Sequence, residues 1–292
     1  MQLFISKIRN KLGGIKKKLF DFLRFNTMRR KIPIKNINKC LVLFHPRSGS
    51  SWLIKILQEN KNFRAGYEIF GSYQYESDSP TALEQEQLLN NFYNCKLDRS
   101  ITTWNNKKGR WNSSKLDCNI YDTIVCKISP YQVIDKPFLI KFIQENKIKV
   151  ICLTRKDIVR RAVSEYRSDI LSQKIGTQNI TKIEDNYILG STKIEKADFF
   201  SFLDRSLAGL KDVSVMADLL AENNVNIFHL TYENLLKDTN SSLQELEDFL
   251  GSKIKIRQTE KIIKITDDNL QSSVSNYEEL QEWVDEYLSI KT

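Results

Sequence analysis

The fold is decided by residues 40–55, CLVLFHPRSGSSWLIK. Leu41 to Phe44 is an apolar run of strand length, Arg47-Ser48-Gly49-Ser50-Ser51 is a short polar loop, and Trp52, Leu53, Ile56 and Leu57 recur at helical spacing. A strand that passes through a Gly-Ser loop into a helix aims free backbone N–H groups and the positive end of the helix dipole at one point. That is a phosphate cradle. A nucleoside-triphosphatase loop would carry G-x-x-x-x-G-K-[ST]. Here the first Gly is replaced by Phe44, and Ser50 follows Gly49 where the Lys belongs. The cradle is kept, while the cation has moved ahead of the Gly, to Arg47. A degenerate P-loop kinase or NTPase is one alternative, and an ordinary capped helix after a strand is another.

Pro46-Arg47-Ser48-Gly49-Ser50-Ser51-Trp52 resembles the 5′-phosphosulfate loop of sulfotransferases, and is nearest in style to bacterial and Golgi carbohydrate sulfotransferases. These enzymes move a sulfuryl group from 3′-phosphoadenosine 5′-phosphosulfate (PAPS) to an acceptor. The resemblance implies that Arg47, Ser48, Gly49, Ser50, Ser51 and Trp52 hold the phosphosulfate. The planar fork of Arg47 suits its oxygens, the hydroxyls add donors, and the helix end contributes about 0.3–1 kcal/mol.

A second strand-loop-helix unit follows at Lys149–Thr154, ending in Arg155-Lys156-Asp157 and continuing through Ile158, Val159, Ala162 and Val163. Ser164 stands nine positions after Arg155. The string RKDIVRRAVSEYRS resembles the family element whose strand-end Arg and helical Ser clasp the 3′-phosphate, so the resemblance assigns that task to Arg155 and Ser164. Taken without the first loop, the pair reads as a surface Arg and a packing Ser. Arg160, Arg161 and Arg167 add positive charge, either lining the nucleotide groove or forming a solvated face.

For the chemistry, a base must take the acceptor proton. Of the two histidines, His45 packs in the loop and His229 lies in the apolar run Val225–Leu230, which predicts a core position. Residues 64–71 (RAGYEIFG) resemble the second strand of carbohydrate sulfotransferases, where a Glu is the proposed base, and Glu68 falls in the matching place. A positioned base contributes about 10²–10⁴ in rate. The alternative is a strand-end Glu paired with a surface cation. Lys127 interrupts the apolar segment Val125–Ile128, so its charge needs a reason. The resemblance makes it a helper near the sulfate, and the alternative is an edge-strand Lys that blunts aggregation. Thr231–Leu236 and Val274–Leu280 also resemble family segments, and 266–273 is a candidate lid. Together these assign catalysis to Glu68, Lys127 and Arg47, PAPS as co-substrate, and no metal.

Strand-like runs at 41–44, 123–128, 149–154 and 225–230, separated by helical patterns, predict one α/β domain over 37–292: P-loop-like, with a mainly parallel central sheet flanked by helices. Residues 72–120 are polar and irregular and read as an insertion shaping the acceptor site, or as a disordered loop; 172–195 reads as a second flap. The net charge of +9 is unevenly spread. Of 45 Lys and Arg, eleven lie in residues 1–36 with one Asp, which leaves 34 basic against 35 acidic residues in the body. Phe4, Ile8, Leu12, Ile15, Leu19 and Phe22 make that arm amphipathic. It suits an anionic membrane face at roughly 1 kcal/mol per basic residue, or packing on the protein's own surface; Gly13-Gly14 weakens it by about 1 kcal/mol per Gly. No uninterrupted apolar span appears, and the neutral body argues against a nucleic-acid partner. Five scattered cysteines without ligand spacing suit a reducing cytoplasm. The expectation is a cytoplasmic sulfotransferase, peripheral on the inner membrane face, with a carbohydrate or glycolipid acceptor; a non-catalytic nucleotide-binding relative at the membrane is the remaining alternative.

Overall fold

The computed structural model describes residues 36–71, 81–94, 104–105, 110–111, 121–175, 189–255, 266 and 269–291. Apart from Asn36, the basic arm lies outside them. The chain runs β1 (Asn38–Phe44), α1 (Ser50–Gln58), β2 (Phe63–Glu68), α2 (Ala82–Tyr93), β3 (Trp104–Asn105), β4 (Arg110–Trp111), β5 (Thr123–Ile128), α3 (Lys136–Glu145) and β6 (Lys149–Thr154). It continues through α4 (Ile158–Ile175), α5 (Lys196–Glu222), β7 (Ile227–Thr231), α6 (Tyr232–Lys237), α7 (Thr239–Leu250), α8 (Leu270–Ser273) and α9 (Tyr277–Lys291).

Five strands pair in the order β2-β5-β1-β6-β7, and every pairing is parallel. The expected α/β architecture is therefore present. The inner strands are continuous apolar runs because both faces are covered. Leu41, Leu43, Ile124, Cys126 and Ile128 pack on one face with residues of α2, α3 and the end of α5. Cys40, Val42, Phe44 and Val125 pack on the other with α1 and α7. A third apolar cluster joins Ala162 and Val163 of α4 to Phe199, Phe202 and Leu203 of α5 and Leu280 and Tyr287 of α9. From β1 the chain leaves through α1 toward β2; from β6 it leaves through α4 and α5 toward β7. The two loops diverge to opposite faces above adjacent strands, which opens a crevice at the carboxyl ends of the sheet.

Four expectations need correction. Strand 225–230 is displaced to 227–231, because Asn224 turns left-handed (φ 58°) and the Val225 N–H closes on the Leu220 carbonyl at 3.0 Å, ending α5. His229 is exposed rather than packed, since β7 is an edge strand of the sheet. Residues 72–120 are not wholly irregular. Thr81 and Glu84 form a capping box, and α2 buries Leu89, Phe92 and Tyr93. The buried Arg64 of β2 donates to the Phe92 carbonyl at 3.0 Å and lies 4.8 Å from its ring, tying α2 to the sheet. The remainder of the insertion, apart from the β3–β4 pair, lies outside the described residues.

Arg161 and Arg167 are also neither groove-lining nor solvated. Arg161 is 2% exposed and donates from Nε to the Pro46 carbonyl (2.8 Å) and from Nη1 to Ser206 O. Arg167 donates to Gly190 O, Thr192 Oγ1 and Ser273 O. Arg160 pairs with Asp157 at 3.1 Å on the surface. Of the candidate lid, Leu270 to Ser273 is docked on the third cluster and on Arg167. Of the candidate flap, 176–188 lies outside the described residues, and Thr192 bridges to Val274.

Candidate active site

The β1–α1 loop is shaped by two left-handed residues, Arg47 (φ 62°) and Gly49 (φ 85°). A Cβ on Gly49 would lie 2.6 Å from Tyr232 Cδ2, so only Gly permits the approach. No side chain caps α1, whose N-cap is Gly49. The amides that open the helix at Ser50 and Ser51 have no carbonyl a turn behind them. Ser48 is fully buried and its Oγ has no partner among the described residues.

The loop is fastened from the neighbouring strand end. His45 Nε2 accepts the Arg155 N–H at 3.1 Å, and Nδ1 lies 3.1 Å from the Pro46 carbonyl. An acceptor on one nitrogen and a carbonyl opposite the other require the neutral ring with its proton on Nδ1. Burial, then Arg161, pushes its pKa down to about 3. His45 is therefore a neutral fastener, in keeping with its expected packing role.

The cations converge above this loop. Lys127 Nζ donates to Ser50 Oγ and Ser51 Oγ, each at 3.2 Å, and sits 4.5 Å from the Phe44 ring centroid. It lies on the interior strand β5 and is 5% exposed, so the edge-strand alternative does not apply. Desolvation lowers its pKa to about 8, Glu68 raises it and Arg47 lowers it further. Arg47 donates from Nε to Ser164 Oγ at 3.2 Å. Its pKa is lowered to about 10, first by burial and then by Arg155. Arg155 donates from Nη1 to the Arg47 carbonyl at 3.4 Å, and its guanidinium lies 4.6 Å from the Tyr232 centroid, which Trp52 meets edge-on at 6.1 Å. Arg155 Nε is buried without a partner among the described residues. Three mutually repelling cations and two orphaned donor groups on a Gly cradle suit a polyanion.

Glu68 ends β2, where the register slips: Ala65 faces Val125 but Glu68 faces Lys127. This bulge, beside Gly66, turns Glu68 to the Lys127 side of the sheet. Its Oε1 accepts from Gln132 Nε2 at 2.6 Å. The structure thus brings all ten sequence-selected residues to the carboxyl ends of β2, β5, β1 and β6.

Sequence reasoning gave no role to Gln132, Tyr232 or Glu165. Tyr232 stood in a quoted family-like segment. Glu165 follows Ser164, is 16% exposed at the side chain and lies 3.8 Å from both Arg161 and Arg205. Burial raises its pKa. Tyr131 is 62% exposed beside Gln132, and Glu68 and Glu165 both help burial hold its hydroxyl above the ordinary phenol value. No group of His, Cys, Asp and Glu with metal-ligand geometry occurs among the described residues.

Residues 38–287 match the family described as "Sulfotransferase domain". No curated protein matches the chain. Among solved structures it is similar to a sulfotransferase domain from the curacin biosynthetic pathway (13% identity, covering 82% of this chain and 83% of that one, TM-score 0.44). It is also similar to mouse sulfotransferase SULT7A1 complexed with PAP (15%, 78% and 66%, TM-score 0.39) and to the sulfotransferase domain of the Synechococcus PCC 7002 olefin synthase (15%, 88% and 91%, TM-score 0.34).

Proposed function

This chain belongs to the sulfotransferase family and is a sulfotransferase, and we propose that the group it moves comes from PAPS and goes to a hydroxyl of a carbohydrate or glycolipid. The observation that carries the donor assignment is the convergence of Arg47, Lys127 and Arg155 over the Gly49 cradle, with Ser48 Oγ and Arg155 Nε left unsatisfied. Arg47, the hydroxyls of Ser48, Ser50 and Ser51 and the first amides of α1 hold the phosphosulfate, with Trp52 packed at the same helix end. Arg155 and Ser164 hold the 3′-phosphate.

In the transfer, the acceptor oxygen forms a bond to sulfur as the bond from sulfur to the phosphate oxygen breaks. The acceptor proton passes to Glu68, and adenosine 3′,5′-bisphosphate (PAP) leaves. Lys127, held between Ser50, Ser51 and Glu68, offsets charge on the moving group and the departing oxygen. Its lowered pKa leaves a large fraction charged at pH 7. The exposed Tyr131 ring beside Glu68 supports a sugar acceptor, since a flat aromatic face packs on the apolar face of a pyranose. The basic arm, residues 1–36, holds the enzyme to an anionic membrane where glycolipids are presented. Among the described residues no helix is long and apolar enough to cross a membrane.

The test is transfer of label from ³⁵S-PAPS to a panel of glycosides and glycolipids, with a parallel thermal-shift series. PAP should stabilise the protein, and ATP with magnesium should do so far less. Stabilisation by ATP-magnesium alone would restore the kinase alternative. PAP binding without transfer to any panel member or to water would favour the non-catalytic one.

A further inference from the structure

Gln132 lies in the 3₁₀ turn Pro130–Gln132 after β5, and its amide is oriented from both ends. Its bonding partners fix which end of the amide is oxygen and which is nitrogen. Gln132 Oε1 lies 3.3 Å from the Ser129 N–H, which can only donate. Nε2 therefore faces Glu68 Oε1, at 2.6 Å, and the carboxylate oxygen must accept. The turn is itself gripped by Gln85 of α2, 3% exposed, which donates from Nε2 to the Gln132 carbonyl and accepts the Ile134 N–H at 3.0 Å. Gln85, Gln132 and Glu68 form an unbroken chain from the insertion to the end of β2.

We propose that Gln132 is a positioning residue for sulfuryl transfer. It fixes the rotation of the Glu68 carboxylate, and Gln85 braces it from α2. The inference rests on the reading of Glu68 as the base. Glu68 sits at the end of an edge strand just past a bulge, where the backbone alone constrains a side chain weakly. A charge-assisted hydrogen bond from a half-buried donor, oriented at its other end by the Ser129 N–H, adds to that constraint. A base held within a fraction of an ångström of its working position transfers a proton far more often than a swinging one. The same chain lets substitutions in α2 reach the base without altering either nucleotide loop.

The experiment uses the full chain and the acceptor that is always present, water: PAPS gives labelled sulfate and PAP, with the water proton passing to Glu68. Gln132→Met keeps the length and removes the donor. At saturating PAPS it should lower kcat by about 10- to 100-fold with KM for PAPS within twofold. Gln132→Glu puts an acceptor against Glu68 and should lose more. Gln85→Met should lose about three- to tenfold by the same kcat route. An unchanged thermal shift by PAP reports an intact nucleotide site in each variant. Parent-like turnover in Gln132→Met, or a loss confined to KM, overturns the proposal. Inactive Glu68→Gln beside active Gln132→Met sinks this inference alone. Active Glu68→Gln sinks the base assignment and this inference with it. A parent protein that PAP stabilises but that transfers no sulfuryl group to water or to any glycoside favours the non-catalytic reading and sinks the base assignment and this inference together.

Discussion

The loop after β1 and the loop after β6 begin alike, as an apolar strand turning into a helix, and end differently. In the first, Gly49 caps α1 without a side-chain bond, so the opening amides stay available. In the second, Glu233 Oε1 accepts the N–H groups of Lys156 (3.0 Å) and Asp157 (3.2 Å), and Asp157 Oδ1 accepts that of Arg160 (2.9 Å). The Lys156, Asp157 and Arg160 amides around the start of α4 are thus claimed by the protein's own carboxylates. What this loop mainly offers an anion is side chains, Arg155 at the strand end and Ser164 two turns along. On the proposed assignment, one strand end binds with backbone and side chains together, and the other chiefly with side chains. A strand-to-helix junction is an anion site only while nothing internal has claimed its amides.

That contrast leaves the proton chemistry outside both loops. Glu68→Gln should therefore lower turnover by about 10²–10⁴ while PAP affinity, measured calorimetrically, stays within twofold. A large affinity loss would merge the catalytic and binding roles. In the chiefly side-chain site, Arg155→Ala should weaken PAP by about 10- to 100-fold, because a charge-assisted bond to phosphate has no backbone to replace it. Retained affinity would mean the α4 amides bind after all. In the backbone site, Gly49→Ala forces an unfavourable φ and a contact with Tyr232, costing about 1–3 kcal/mol in stability and a comparable factor in affinity. Adding Tyr232→Ala should recover part of the packing loss and none of the φ strain, as thermal melts would show.

A smaller effect follows from Lys127. Its pKa is about 8 without ligand, and a bound polyanion raises it, so PAP binding takes up a proton as pH rises above about 8. Affinity should fall as pH rises through 8, by at most about tenfold per pH unit, and calorimetry in buffers of different ionisation enthalpy should show the uptake. Lys127→Met should abolish it. Smallest is Glu233→Ala, which frees the Lys156 and Asp157 amides ahead of α4 while Asp157 still caps Arg160, and should cost about 1 kcal/mol of stability with only a few-fold change in PAP affinity. A tenfold tighter complex would show that the freed amides had become a phosphate site.

Much of this was legible in the chain because strand, loop and helix signals are local. The apolar runs at 123–128 and 149–154 coincide with β5 and β6, and cations placed at strand ends belong to the crevice wherever the strands end up. Contacts made across the sheet left no such trace. Gln132 meets Glu68 at a separation of 64 residues, and nothing near either one announces the other. Helix α2 was hidden because Gln, Glu and Asn dominate it, and its inward face is made by Gln85 with just four apolar residues, Leu88, Leu89, Phe92 and Tyr93. His229 was misplaced because an apolar run does not reveal that its strand lies at a sheet edge. The bulge in β2 had Gly66 as its single hint.

That bulge gives the edge of the sheet a degree of slack. Adding or deleting one residue at 66–67 would swing the acid to the other face while β1, β5 and β6, locked on both sides, kept their places. On the proposed assignment, the acceptor side could change at this one edge strand while the loops after β1 and β6 stayed as they are.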